Sequence, residues 1–300
     1  MARHTNRHRS RGRRRHRRSR RGTGTPVLRL ATWGVGGLGV AALVAATLPS
    51  AVAFIDRPEA PQVAAAAPVA EPVVWGAIVD PSGSNGGAAS AKEDLELFAD
   101  VVAEWPGAQP PDDGTTAYAG MPGLDLTVRQ VALNSYAANA EVAHILIPSV
   151  PPLPPMPATT DVNASAAFLD QVDAVQKQYQ RAQAKAERAA SSLRSAQLRS
   201  ENSEIAGALS ALVQVLPPTS NERGVVIISD LEQAGADPEV DGDLSDTTVT
   251  VFQRCDEGVD RCTQARESFT ALTRKLNGAV PEFQRIETLP TNLADILKGE

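Results

Sequence analysis

Val73-Val74-Trp75-Gly76-Ala77-Ile78-Val79-Asp80-Pro81-Ser82-Gly83-Ser84-Asn85-Gly86-Gly87 joins an apolar run to a run of turn-forming residues. The apolar half has the length of a buried strand, and the half that follows is loop chemistry. A strand that is apolar throughout is covered on both faces, as strands in parallel sheets are. Gly224-Val225-Val226-Ile227-Ile228-Ser229-Asp230 repeats the pattern: a second buried strand that also ends in an aspartate. In open sheets of this kind ligands bind beyond the carboxyl ends of the strands, which is where Asp80 and Asp230 stand.

The rest of the body alternates in the same way. Ser90 and Glu93 have capping-box spacing, and Leu95, Phe98, Val101 and Val102 form the apolar stripe of a helix reaching Trp105. Strands are expected over 124–133, 142–147, 247–253 and 283–287, and helices over 203–216, 262–276 and 292–297. Together they predict one α/β domain over 73–300, a doubly wound, mostly parallel sheet with helices on both faces. Between 164 and 199 the pattern changes to one long helical insertion. Phe168, Val172, Val175, Tyr179, Ala182, Ala186, Ala189, Leu193 and Ala196 follow alternating steps of four and three. Two readings of that seam stand side by side: a surface for self-association, or an amphipathic helix lying along the sheet.

Upstream of the body, charge and hydropathy are sharply partitioned. No acidic residue precedes Asp56, whereas 11 arginines fall within the first 22 residues. From residue 56 onward 17 basic residues face 35 acidic ones, a net charge of −18. Such a body repels polyanions and disfavours nucleic-acid binding by the domain. Leu30 to Ile55 runs 26 residues without a charge, enough for a transmembrane helix. Arginines before it favour a cytoplasmic tail over 1–29 and an extracytoplasmic body. Pro49-Ser50-Ala51-Val52-Ala53 also offers a signal-peptidase pattern, so cleavage after Ala53 stays open beside a signal anchor. A twin-arginine signal at Arg20-Arg21 lacks the apolar residues expected just after the pair. Residues 56–72 are rich in Ala and Pro and read as a linker.

Asp80-x-Ser82-x-Ser84 places three oxygen-bearing side chains on alternate positions, which extended backbone sends the same way. Oxygen donors suit hard cations, and magnesium takes few direct protein ligands. The alternative is a solvated turn in which Asp80 caps backbone amides. Over roughly 72–298 the chain resembles the von Willebrand factor type A domain family. The likeness rests on 73–84, on Ser203-Glu204-Ile205-Ala206-Gly207-Ala208-Leu209, and on Val225-Val226-Ile227-Ile228-Ser229-Asp230. It implies a metal-ion-dependent adhesion site with Asp80, Ser82 and Ser84 after the first strand, Ser203 before a helix and Asp230 after the fourth strand. Ser203 stands where the family has threonine, and the long insertion lengthens its separation from Asp80. The resemblance implies a divalent cation, Mg first with Mn or Ca as alternatives, bound directly by Ser82 and Ser84, and a protein ligand at that face.

Cys255 and Cys262 enclose a short loop, and in an exported body a disulfide between them is the first expectation. Metal ligation by the pair lacks a nearby histidine or further cysteine. Enzyme chemistry finds little footing. Of four histidines three lie in the tail, and His144 sits in a strand pattern as a structural residue. There is no Gly-x-Ser-x-Gly elbow and no phosphate-binding Gly-x-x-x-x-Gly-Lys loop. The expected role is a non-enzymatic, membrane-tethered binding module. The competing role is a structural scaffold with a vestigial metal site, assembling through the long helix.

Overall fold

A computed structural model describes residues 69–158, 160, 162–199, 204–217, 223–232, 240–255 and 260–299. The basic tail, the 30–55 segment, linker residues 56–68 and Ser203 lie outside them. Among the described residues no helix is long and apolar enough to cross a membrane.

The elements in chain order are β1 (Val73–Val79), α1 (Gly87–Glu104), β2 (Leu124–Gln130), β3 (Glu141–Ile147), α2 (Val162–Ser195), α3 (Ile205–Val215), β4 (Arg223–Ser229), β5 (Thr247–Gln253), α4 (Asp260–Lys275), β6 (Glu282–Arg285) and α5 (Leu289–Lys298). They build an α/β fold on one six-stranded sheet, ordered β3-β2-β1-β4-β5-β6. Every pairing is parallel except that of β3, which runs antiparallel at the β2 edge. Alternation along the strands divides the core in two. Ala77, Val79, Leu126, Val128, Val226, Ile228 and Phe252 face α1, α2 and α5. Val74, Ile78, Val225, Ile227, Val249 and Val251 face α3 and α4. Each large side chain so buried contributes roughly 1.5–3 kcal/mol. Asp125, Thr127 and His144 stand on the other side of β2 and β3 beside the exposed Leu146, and there His144 Nε2 and Asp125 Oδ1 lie 2.8 Å apart.

Helix α1 starts earlier than its capping-box spacing suggests. Gly86, at φ 88°, is the N-cap, and Ser90 falls inside the helix. The loop needs a left-handed residue there, and glycine takes that conformation without a Cβ clash. β2 also stops at Gln130, short of the expected 133. Beyond it the chain turns away, with Val131 N–H still donating to Val79 O at 2.9 Å.

The long helix lies along the domain. Phe168, Val172, Val175, Tyr179, Ala182, Ala186, Ala190 and Leu193 are buried in the core shared with α1 and the sheet. Ala190 takes the buried place that strict heptad spacing assigns to Ala189, as expected for a straight helix of 3.6 residues per turn. Arg194 pairs with Asp100 at 2.6 Å, and Lys92 Nζ donates to the carbonyl of Arg194, tying the end of α2 to α1. A cation at the last carbonyls of a helix is well placed against its dipole. The apolar seam is thus filled within the chain.

Candidate functional site

The topology brings Asp80 and Asp230 to one rim. β1 and β4 are adjacent and parallel, and they lie where the chain reverses its direction of progress across the sheet. At such a switch point the two following loops part and leave a crevice beyond the strand ends. Asp80 N–H donates to Ile228 O at 3.2 Å, which carries the pairing up to the start of the loop.

Asp80 is fully buried. Its Oδ1 accepts from Ser82 N–H at 3.0 Å and its Oδ2 from Ser229 Oγ–H at 2.7 Å. Ser229 Oγ in turn accepts from Leu231 N–H at 2.9 Å. Burial pushes the Asp80 carboxyl above its ordinary value and the nearby Asp230 charge adds to this, while the Ser229 and Ser82 hydrogen bonds oppose it. Ser82 Oγ and Ser84 Oγ lie 3.2 Å apart, with Ser82 buried and Ser84 exposed. Asp230 Oδ1 accepts from Glu232 N–H at 2.9 Å. The next residue, Leu231, has φ 63° although it carries a branched side chain. Strain of this kind costs on the order of 1–3 kcal/mol and persists where the surroundings over-determine it.

Four of the five expected site residues are therefore described. Asp80, Ser82 and Ser84 share one turn, and Asp230 stands on the adjoining strand end. Ser203 lies outside the described residues. Its neighbour Glu204 is tied to the same rim, its carbonyl accepting from Ser135 Oγ–H at 3.3 Å in the loop after β2.

Four residues escape a reading of alternate positions. Ser229 holds Asp80 from the neighbouring strand, and a serine just before the second aspartate is its only trace in the sequence. Asn85 donates from Nδ2 to the Asp80 carbonyl at 2.6 Å, while its Oδ1 is buried without a hydrogen-bond partner among the described residues. Leaving such an oxygen unsatisfied costs about 1–3 kcal/mol. Arg254, just past β5, donates to Ser229 O through its N–H at 3.1 Å and pairs through its guanidinium with buried Asp94 of α1. A signal for Asp94 exists only as a polar residue within the buried stripe of α1.

The donor set consists of oxygens: two carboxylates, two hydroxyls and one unsatisfied amide carbonyl. Those are the atoms a hard cation takes. Among the described residues no group of three or more His, Cys, Asp or Glu side chains is placed to hold a metal ion. The serines and Asn85 fall outside those residue types.

Asp94 supplies a pH signature. Burial pushes its carboxyl up from 3.8 to about 6, against the pull of Arg254. The folded state then holds this proton more tightly than the unfolded chain. Its contribution to stability is complete below about pH 4 and is lost as the pH rises through about 6, on the order of 3 kcal/mol in all. Urea unfolding between pH 4 and 7 is expected to show that decline in the wild type and to lose it in Asp94→Asn. An unchanged slope in the variant would assign the decline to other groups.

The Cys255–Cys262 disulfide is formed, and it closes the loop between β5 and α4 beside this rim.

A cavity of about 500 Å³ lined by Trp105, Tyr118, Met121 and Pro122 opens at the other end of the strands, away from Asp80.

No family model matches the chain, and no curated protein matches it. Among solved structures, proximal thread matrix protein 1 from the mussel byssus is similar over 76% of this chain and 48% of its own, with 10% identity and a TM-score of 0.36. The chain thus spans about half of that protein's length, and a likeness at this level carries no argument about fold family or role.

Proposed function

We propose that the chain is a non-enzymatic, membrane-tethered extracytoplasmic binding module of the von Willebrand factor type A kind. In this reading Asp80, Ser82, Ser84, Ser203 and Asp230 hold a divalent cation, magnesium first, and that face engages a protein partner in an envelope-associated assembly. The observation that carries it is the meeting of the Asp80 turn with Ser229 and Asp230 at the switch point. Two carboxylates that share a low-dielectric rim repel each other, and a cation relieves that repulsion. The mostly parallel sheet with helices on both faces fits the fold that the resemblance implies. Asn85 adds a buried oxygen that seeks a partner.

Each residue has a definite task in this scheme. Ser229 and the Ser82 amide orient the Asp80 carboxylate. Ser82 and Ser84 offer neutral oxygens, so a bound ion would keep charge to attract a partner's carboxylate. Membrane attachment falls to residues 30–55, and nucleic acid is not a ligand of the acidic body. The scaffold alternative, with self-association through 164–199, is less well supported because the apolar seam is already covered by α1 and the sheet.

Isothermal titration with magnesium or manganese, followed by affinity capture with and without a chelator, tests the proposal. The expected result is saturable binding of one ion and a partner released by chelation. Absence of heat in the wild type, or titration curves that superimpose for wild type and Ser82→Ala, would remove the cation from the scheme.

A further inference from the structure

We infer that Gln253 is the positioning residue of Asp230 and couples the Cys255–Cys262 disulfide to the cation face; the inference rests on the reading of that face given above.

Gln253 ends β5 and is 2% exposed, so every polar atom of its side chain needs a partner within the protein. It finds all of them. Nε2 carries two N–H groups and donates to Asp230 O and to Cys262 O, each at 3.4 Å. Oε1 accepts from Arg266 Nε–H. The Arg266 guanidinium is held in turn above the Phe283 ring, 5.5 Å from its centroid. One amide therefore spans from the residue that follows β4 to the first turn of α4.

That turn is anchored covalently. Cys262 is bonded to Cys255, two residues beyond Gln253, so β5 and α4 are closed into a small ring beside Asp230. A surface ion pair between Arg261 and Glu232, at 3.5 Å, follows the same route. Both of its side chains are exposed, so it adds little. Asp230 needs such support because Leu231 behind it sits in the left-handed region. With the disulfide open, the Cys262 carbonyl is no longer held beneath Gln253, and the Asp230 main chain loses its fixed partner. Hydrogen bonds made directly to a ligating side chain are typically worth about 10–100-fold in metal affinity, and a contact that fixes the ligand's main chain acts up to that range.

The test is Mn(II) titration of the full chain, with free ion followed by electron paramagnetic resonance. Six samples are compared: wild type, wild type reduced with dithiothreitol and alkylated at both thiols, Cys255→Ser with Cys262→Ser, Gln253→Met, the triple variant, and Phe269→Leu as a control. Dithiothreitol passes two electrons and two protons to the disulfide and leaves as its own cyclic disulfide, giving two Cys thiols. Each change is expected to weaken Mn(II) binding about 10–100-fold. The triple variant should lose no more than the larger single effect, because both changes cut one linkage. Phe269→Leu, in the α4 core, is the structural control: it should lower the melting temperature and leave Mn(II) affinity unchanged. If Gln253→Met does not fold, the dithiothreitol arm tests the coupling without a substitution. Reduced protein with both thiols alkylated that binds Mn(II) as tightly as the oxidised form overturns the inference while leaving the cation site standing. Additive losses in the triple variant overturn it as well. A wild type that binds no Mn(II) overturns the cation site and the inference with it.

Discussion

Gly224→Ala is expected to destabilise the domain by about 3 kcal/mol, the upper end of the usual cost of overpacking a core. Gly224 lies on β4 directly opposite Trp75 of β1. A Cβ at Gly224 would come within 1.9 Å of Trp75 Cζ3 and 2.2 Å of Cη2, deep inside van der Waals contact. The indole is 7% exposed and is a rigid ring, so it cannot swing aside as the tip of a flexible side chain would. Either the strands shift apart or the ring leaves its site, and both disturb the β1–β4 pairing that carries Asp80 and Asp230. Gly83→Ala is the control. A Cβ there meets nothing within 4 Å, so stability should hold within about 0.5 kcal/mol. Chemical unfolding of the two variants against wild type measures both values. Equal stabilities would mean that Trp75 does not rest on Gly224.

Asp80→Asn is expected to separate stability from binding. In the absence of metal, burial and the neighbouring Asp230 charge disfavour the ionised form of the Asp80 carboxyl, against the hydrogen bonds from Ser229 and Ser82. Removing the ionisable group should therefore raise the unfolding free energy relative to wild type as the pH rises above the ordinary carboxylate range, with the gain fading as the pH falls back towards it. The same substitution should weaken Mn(II) binding by at least about 10-fold, since a residue of the site itself counts for no less than the groups that support it. A variant that is both less stable and still binds would make Asp80 a structural cap of the turn, the other reading of Asp80-x-Ser82-x-Ser84. Opposite signs in the two measurements are hard to obtain unless the charge is kept for a ligand.

Much of this architecture is written locally. The buried strands at 73–79 and 224–229 declare themselves by uninterrupted apolar character, and strands with such flanks must be covered on both sides. The strand at 247–253 and the helices around 205–215 and 260–275 lie within two residues or so of where periodicity puts them. Boundaries were less legible where the deciding force was not local. Ser90 and Glu93 have the right spacing for a cap, but a left-handed Gly86 starts the helix earlier because the loop from β1 must turn there.

The heptad seam shows the same division. Periodicity reports that one face of 162–195 is apolar, and says nothing about what covers it. Whether a second chain or the parent domain fills that face depends on which surface is nearer, and here α1 and the sheet are. The rim is likewise only half visible in one dimension. Asp80, Ser82 and Ser84 stand within one short turn and can be seen as a set, whereas Asp230 joins them across a separation of 150 residues.

Composition and period along the chain therefore set the class of fold, the strand ends that bear aspartates and the pairing of Cys255 with Cys262. The partners of those aspartates followed only from the three-dimensional arrangement: Ser229 on Asp80, Arg254 on Asp94 and Gln253 beneath Asp230. The physical reason is one of range. Backbone propensity and apolar periodicity act over a few residues, but desolvation makes a buried polar atom take whichever partner folding brings within about 3 Å, however remote in sequence.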